Sequence, residues 1–420
     1  MADAPIKKID YRLCYNSRGQ LAIEVDIIVG ENKGRAMAPS GASVGRNEAK
    51  SFPNGSPYEC LNKIKSYSNI LIGLDATNPQ LITSKLMEID STSNYSKIGG
   101  AAAYAITIAA VDAAAQHLNI PIYNLINSSV TPKLPYPIGN FIGGGMHAGP
   151  GAPDIQEFLS CAVGAKKISD ALQANVLVHK EARKIIGKNE PLFPGGKGDE
   201  GAWAASLSNK EAFEIASEAV NNISDKVGFK VSLGIDFAAS SFWDQENKLY
   251  VYKRDGRKLS GDDQVTYVSE LADKYNLIYL EDPLHEDAFE DFAKLTKSVK
   301  HSFVTGDDLL VTSSKMLEKA TSLNSVNSAI LKVNQAGTLG DALNFAKTAA
   351  KNNISLITSH RSGDTSDSHI AHVAVATSSK MLKTGIVGGE RTAKLNELIR
   401  INESTILATG NDLPMIELLL

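Results

Sequence analysis

Three textures follow one another along the chain. Two runs, Ile9-Asp-Tyr-Arg-Leu-Cys-Tyr15 and Ala22-Ile-Glu-Val-Asp-Ile-Ile-Val29, alternate apolar and polar positions, with Gly19 and Gly30 as turn residues. Period two with glycine turns predicts two strands of an antiparallel meander over residues 6–39. Residues 57–127 carry helical patterning, broken around Asp90 to Gly100 by Ser, Thr, Asn and Gly. A proline cluster, Pro132, Pro135 and Pro137, ends that region and marks the best boundary. From there to about residue 400, short β-branched runs alternate with helical stretches. That order predicts an α+β lobe over residues 1–133 and an α/β unit over residues 134–420.

The apolar runs of the second part end in side chains that a buried strand cannot easily hide. They are Val231-Ser-Leu-Gly-Ile-Asp236, Leu277-Ile-Tyr-Leu-Glu-Asp282, Ser302-Phe-Val-Thr-Gly-Asp-Asp308, Ala329-Ile-Leu-Lys-Val-Asn-Gln335, Leu356-Ile-Thr-Ser-His-Arg-Ser362 and Met381-Leu-Lys-Thr-Gly385. A buried charge costs several kcal/mol unless it is paired or used. After a first interval of about 45 residues, Asp236, Glu281, Asp307, Lys332, His360 and Lys383 recur about every 25, the length of one strand plus one helix in a parallel barrel. In such a barrel the active site is assembled from several strand ends on one face.

Composition narrows the partners. The 420 residues are 43% apolar and 21% charged, with a net charge of −4. A globular core is permitted, and there is no basic field to hold nucleic acid or an anionic membrane. Cys14, Cys60 and Cys161 are far apart and lack Cys-x-x-Cys spacing, which fits reduced thiols rather than zinc or disulfides. The N-terminus has no apolar core of a signal peptide, and the apolar segment Ala101 to Ala115 is too short to span a bilayer, so the expected address is cytoplasmic. Gly143 to Gly151 fails Gly-x-Gly-x-x-Gly, and Gly195-Gly-Lys-Gly198 lacks the Ser/Thr of a Walker A loop.

Three carboxylates, Asp236, Glu281 and Asp307, converging at about 4 Å would repel by about 4 kcal/mol per pair at an effective dielectric near 20. Protons or a cation must relieve this, and an all-oxygen cage suits a hard divalent ion, Mg²⁺ before Zn²⁺. A single Asp at such a place is as readily a helix N-cap, and for Asp308 the two readings stand level.

With Ser40-Gly-Ala-Ser43, Gln156-Glu157-Phe158, Gly198-Asp-Glu-Gly201, Glu281-Asp-Pro283, Gly306-Asp-Asp-Leu309, Leu331-Lys-Val-Asn-Gln335, Ser359-His-Arg-Ser-Gly363 and Lys383-Thr-Gly385 in this order, the sequence resembles enolase. The likeness is to an archaeal/bacterial-like, somewhat divergent form, and runs from Asn16 to Arg400. It implies an irregular TIM-like (β/α)8 barrel after a smaller N-terminal α+β domain that carries an active-site loop, residues 40–45. An irregular start to the barrel would account for the longer first interval. The implied activity is reversible dehydration of 2-phospho-D-glycerate to phosphoenolpyruvate, a step of glycolysis and gluconeogenesis.

The resemblance assigns Lys332 as general base and Glu200 as general acid. A base role needs the lysine pKa lowered, which burial beside other cations would achieve. Two Mg²⁺ per subunit, on Asp236, Glu281, Asp307 and Ser43, would hold the ene-diolate, which is the superfamily's own pattern. Arg361 and Ser362 would grip the phosphate and Lys383 would face the carboxylate. His147, Gln156, Glu157 and His360 match pocket-lining positions. The family is commonly dimeric or octameric, so a homodimer or homo-octamer is implied.

The chain departs from the family pattern at Asn16, Val44, Gly143, Ala202-Trp203 and Gly388-Gly389, at one extra residue between His147 and Glu157, and in the tail Met415-Ile-Glu-Leu-Leu-Leu420. None removes a ligand, base or phosphate contact. The alternatives are another superfamily lyase acting on a different carboxylate, and an impaired binding protein of the same fold. Arg361 and Ser362 argue against the first, and the intact Glu200, Lys332 and carboxylates against the second.

Overall fold

A computed structural model of the chain describes residues 4–41, 45 and 48–418. The N-terminal part is a three-stranded antiparallel sheet, β1 (Ile6–Tyr15), β2 (Leu21–Val29) and β3 (Asn32–Met37), in the order β1-β2-β3. On β2, Ile23, Val25, Ile27 and Val29 are fully buried, as period-two patterning requires. The Ala-rich helix Gly100–Leu118 packs on the sheet so closely that a Cβ at Gly34 would lie 2.1 Å from the carbonyl oxygen of Ala109. The sequence reading has two strands here. The third, β3, is hidden because Asn-Lys-Gly-Arg offers little apolar alternation before Ala36 and Met37.

Asp26 points away from this core, and Arg35 Nε and Arg12 NH2 donate to it at 2.6 Å each. These hydrogen bonds outweigh burial and hold its carboxyl well below the usual range. A depressed folded-state pKa adds stability above the unfolded value of about 3.9, and that stability is lost as pH falls through the folded value. Both arginines are exposed, at 36% and 47% of their side chains, so the pairing contributes only about 1 kcal/mol. Asp26→Asn is therefore expected to lower the thermal midpoint at pH 7, with the gap to the parent narrowing below about pH 4. Thermal melts across pH check this.

The remainder forms a closed barrel of eight strands among the described residues. They are β4 (Tyr136–Gly143), β5 (Glu157–Cys161), β6 (Ser232–Asp236), β10 (Tyr279–Glu281), β11 (Phe303–Gly306), β12 (Ser328–Leu331), β13 (Ser355–Ser359) and β14 (Met381–Gly385). A separate small sheet, β7 (Trp243–Asp244), β8 (Leu249–Tyr252) and β9 (Arg257–Leu259), is inserted between β6 and β10. This insertion, not the start of the barrel, fills the long interval between Asp236 and Glu281. The barrel's irregularity lies in β5, which runs antiparallel to both β4 and β6 while the other pairs are parallel. Its reversal brings Glu157, at the beginning of β5, opposite Asp236 at the end of β6, and Asp236 in turn pairs with Glu281 on β10.

The N-terminal part is stitched to the barrel mouth by backbone bonds. Ser40 and Gly363 exchange N–H···O bonds of 2.8 and 2.9 Å, and Ala49 N–H donates to the Gln335 carbonyl at 2.9 Å. Among the described residues no helix is long and apolar enough to cross a membrane.

Candidate active site

The six charged or polar strand ends seen in the sequence fall on six barrel strands. Asp236 and Glu281 end β6 and β10, Asp307, Lys332 and His360 directly follow β11, β12 and β13, and Lys383 sits within β14. Together with His147, Gln156, Glu157, Glu200, Arg361 and Ser362, all but Glu281 line one cavity at this end of the barrel. Glu281 is fully buried just beneath, 2.5 Å from Lys383 Nζ. Ser43 lies outside the described residues.

Lys383 organises the rung of carboxylates. Its Nζ lies 2.8 Å from Asp236, 2.5 Å from Glu281 and 3.3 Å from Glu157. The expected cage therefore differs in detail from three bare carboxylates at about 4 Å. Two groupings bring three ligand atoms within 4.8 Å of one another among the described residues, His147–Glu157–Glu200 and Asp282–Asp307–Asp308, and Asp307 alone of the expected trio belongs to either. The donor set still fits a hard cation. Glu281 Oε1 is buried with no hydrogen-bond partner among the described residues, and burial plus the Asp236 carboxylate pushes this carboxyl up to about 8. Such a site binds a proton or a cation in place of bare charge.

Lys332 forms an ion pair with Asp307, and Gln335 Nε2 donates to the other carboxylate oxygen at 3.0 Å. Burial favours the neutral amine, but Asp307 outweighs it and holds the Lys332 pKa above its ordinary value. This corrects the expectation of a lowered pKa. Burial and neighbouring cations do act in that direction, but the paired carboxylate prevails. Asp307 itself sits on a turn whose amides are fixed by Asp282, which accepts from Asp307 N–H at 3.0 Å and Asp308 N–H at 2.7 Å.

Glu200 is a buried member of the same cavity lining. His360 Nε2 lies 3.3 Å and His147 Nδ1 3.9 Å from its Oε1, and Asn140 Nδ2 donates to Oε2 at 3.3 Å. Burial opposes charge on Glu200, yet His360, His147 and Arg391 prevail and hold its carboxyl well below the ordinary range. Glu157 goes the other way: burial, then the Glu200 carboxylate, raise it well above.

Arg361 is buried and donates to Glu48 (3.2 Å) and to Asn334 Oδ1 (3.2 Å). Glu48 comes from the N-terminal part and carries no signal of its own in the sequence. The other residue missed is Arg391, the largest fully buried side chain. Its guanidinium donates to Arg361 O at 2.5 Å, Ser362 O at 2.6 Å and Asp199 O at 3.0 Å. It also reaches His360 Nδ1 at 2.8 Å, which fixes the imidazole proton on Nε2, facing Glu200. Burial, against the pull of the Glu200 carboxylate, lowers the His360 pKa to about 4. The only signal for Arg391 is its place in Glu390-Arg-Thr-Ala393, where it looks like an ordinary charge in the first turn of the last helix, Gly389–Thr409.

Two family models match the chain: "Enolase, N-terminal domain" over residues 6–126 and "Enolase, C-terminal TIM barrel domain" over residues 131–410. The chain is 44% identical over 411 residues to a protein named enolase from Methanothermobacter thermautotrophicus, covering 97% of this chain and 99% of the relative. It is 46% identical over 398 residues to one from Archaeoglobus fulgidus, covering 95% of this chain and 97% of the relative.

Proposed function

The chain belongs to the enolase family, and from that premise we infer that it catalyses the reversible dehydration of 2-phospho-D-glycerate to phosphoenolpyruvate. It is a hydro-lyase. The observation that supports the division of labour is that Lys332 and Glu200 line one cavity with separate partners, Asp307 and Gln335 for the lysine and His360, His147 and Asn140 for the glutamate. Proton removal at C2 and loss of hydroxide at C3 need two groups on two faces of the substrate, and these are the candidates.

Lys332 takes the C2 proton. It rests as an ammonium ion on Asp307, and acts as base once Asp307 is otherwise engaged, since burial, Arg361 and Lys383 all favour the neutral amine. Asp236, Glu281, Asp307 and Ser43 would hold Mg²⁺, which when bound would supply positive charge beside the substrate carboxylate. Glu200 protonates the departing hydroxide, while His360, held through Nδ1 by Arg391 and facing Glu200 with Nε2, orients it. Lys383 steadies the carboxylate side. Arg361 and Ser362 hold the phosphate, and Glu48 keeps the guanidinium in place before substrate arrives. Gln156 and His147 line the wall beside Glu200. A cytoplasmic address and a homodimer or homo-octamer complete this reading, the latter checked by light scattering.

The direct test is a Mg²⁺-dependent assay that follows the ultraviolet absorbance of phosphoenolpyruvate. Arg361→Ala is expected to raise KM and lower kcat together, because binding energy at the phosphate also positions the reacting carbon. Removing this charge-assisted contact costs about 1.5–3 kcal/mol, or about 10–100-fold in kcat/KM. Unchanged kinetics with 2-phosphoglycerate would remove Arg361 from the phosphate site.

A further inference from the structure

The helix Ile168–Asn189 carries three polar side chains on the face turned to the barrel, Asn175, His179 and Arg183, at i, i+4 and i+8. Polar groups on a packed face are retained only if each is satisfied. Asn175 is anchored to the barrel itself: it donates to Pro137 O on β4 at 3.0 Å and accepts from Ser160 Oγ on β5 at 3.0 Å. His179 reaches instead into the loop that bears Glu200, with its Nε2 2.9 Å from the carbonyl oxygen of Gly201. Arg183 donates to Phe193 O at 2.9 Å, at the upstream end of the same loop.

Trp203, one of the chain's departures from the family pattern, returns the contact. Its indole N–H donates to the His179 carbonyl at 2.7 Å, and the two rings lie 4.5 Å apart. Its backbone is zipped to β4 where the register of that strand shifts, donating to Phe141 O and accepting from Gly143 N–H, both at 3.0 Å. The guanidinium of Arg183 and the ammonium of Lys197 stand over the indole at 5.7 and 5.6 Å. Gly201, between the acid and this clamp, has φ +80, and a Cβ there would sit 2.4 Å from the Val387 carbonyl oxygen. The peptide following Glu200 thus has one seat, set from the helix side by His179 and from the strand side by Trp203.

We propose that His179 and Trp203 are a positioning pair that sets how far Glu200 reaches toward the C3 hydroxyl. The proposal rests on the reading of Glu200 as the acid. The pair touches no substrate, so it acts on the hydroxide-loss step alone and leaves proton removal by Lys332 as it is. A misplacement of about 1 Å at a reacting group costs about 10²-fold, which sets the scale.

The experiment compares phosphoenolpyruvate formation with exchange of the C2 hydrogen of 2-phosphoglycerate in deuterated buffer. His179→Leu and Trp203→Val are expected to lower kcat for phosphoenolpyruvate about 10–100-fold, with KM within about two-fold and C2 exchange near the parent rate. His179→Gln, whose amide donates to Gly201 O, recovers most of the loss, and Trp203→Phe, which keeps the ring without the N–H, falls between. In a Glu200→Gln background, where C2 exchange is the activity that remains, His179→Leu adds no further loss of exchange. Equal loss of exchange and dehydration, no loss in either, or additive loss in the Glu200→Gln background overturns the pair while the acid role stands. If Glu200→Gln alone dehydrates at the parent rate, the acid reading falls, and the positioning pair falls with it.

Discussion

Lys332→Ala is expected to stop both phosphoenolpyruvate formation and C2 hydrogen exchange, whereas Glu200→Gln stops the first and retains part of the second. The two residues line one cavity with different partners, Asp307 and Gln335 for the lysine, His360, His147 and Asn140 for the glutamate. Their steps should therefore fail separately. General acid–base groups contribute about 10²–10⁴-fold each, so either loss is far outside experimental error. Glu200→Gln leaves the base and the carboxylate row intact, which is why exchange survives. Proton NMR of the C2 signal in deuterated buffer reads both outcomes in one sample. Parent-like exchange in Lys332→Ala together with its loss in Glu200→Gln would mean that the roles are reversed.

The second large effect concerns the carboxylates. Chelation of divalent cations is expected to abolish turnover, and Asp236→Ala, Glu281→Ala and Asp307→Ala each to lose most activity. The reason lies in the row Glu157–Asp236–Glu281, set by strand register, with Lys383 as its only close cation among the described residues. Removing one carboxylate leaves Lys383 paired with the others, so the barrel stays folded while cation affinity falls by at least about 10–100-fold. Titration calorimetry with Mg²⁺, beside circular dichroism for the fold, separates lost binding from lost structure. Full activity in excess chelator would eliminate the metal assignment.

Much of this site was legible because a charge at the end of an apolar run is an anomaly that sequence alone exposes. Asp236, Glu281, Asp307, Lys332, His360 and Lys383 all announce themselves this way, and their spacing gives the barrel. What was not legible depends on pairing. The run Glu157–Cys161 reads the same whichever way the strand points, so the reversal of β5 leaves no trace in its composition. The direction in which the Lys332 pKa moves turns on a contact with Asp307 from a different strand, which outweighs burial. Glu48 and Arg391 meet the site from the N-terminal part and from the last helix, and each looks like an ordinary charge in its own stretch. β3 escaped because hydrogen bonding to β2, rather than its own side chains, makes it a strand.

The reversed strand has a consequence for how the chain can vary in length. At seven of the eight barrel strands, insertions in the loop that follows the strand change what comes after it and leave the strand's own side chains where they were. Glu157 is placed by the opposite arrangement, since the variable loop arrives at it instead of departing from it. A one-residue slip carried into β5 would turn Glu157 to the outside of the barrel and Phe158 to the inside, because side chains alternate with a period of two. Gly144 N–H donates to Gln156 O at 2.8 Å, and Gly143 pairs with Glu157. That pair works as a buffer stop, allowing the loop upstream to lengthen in steps of one while the acid row beyond it keeps its phase.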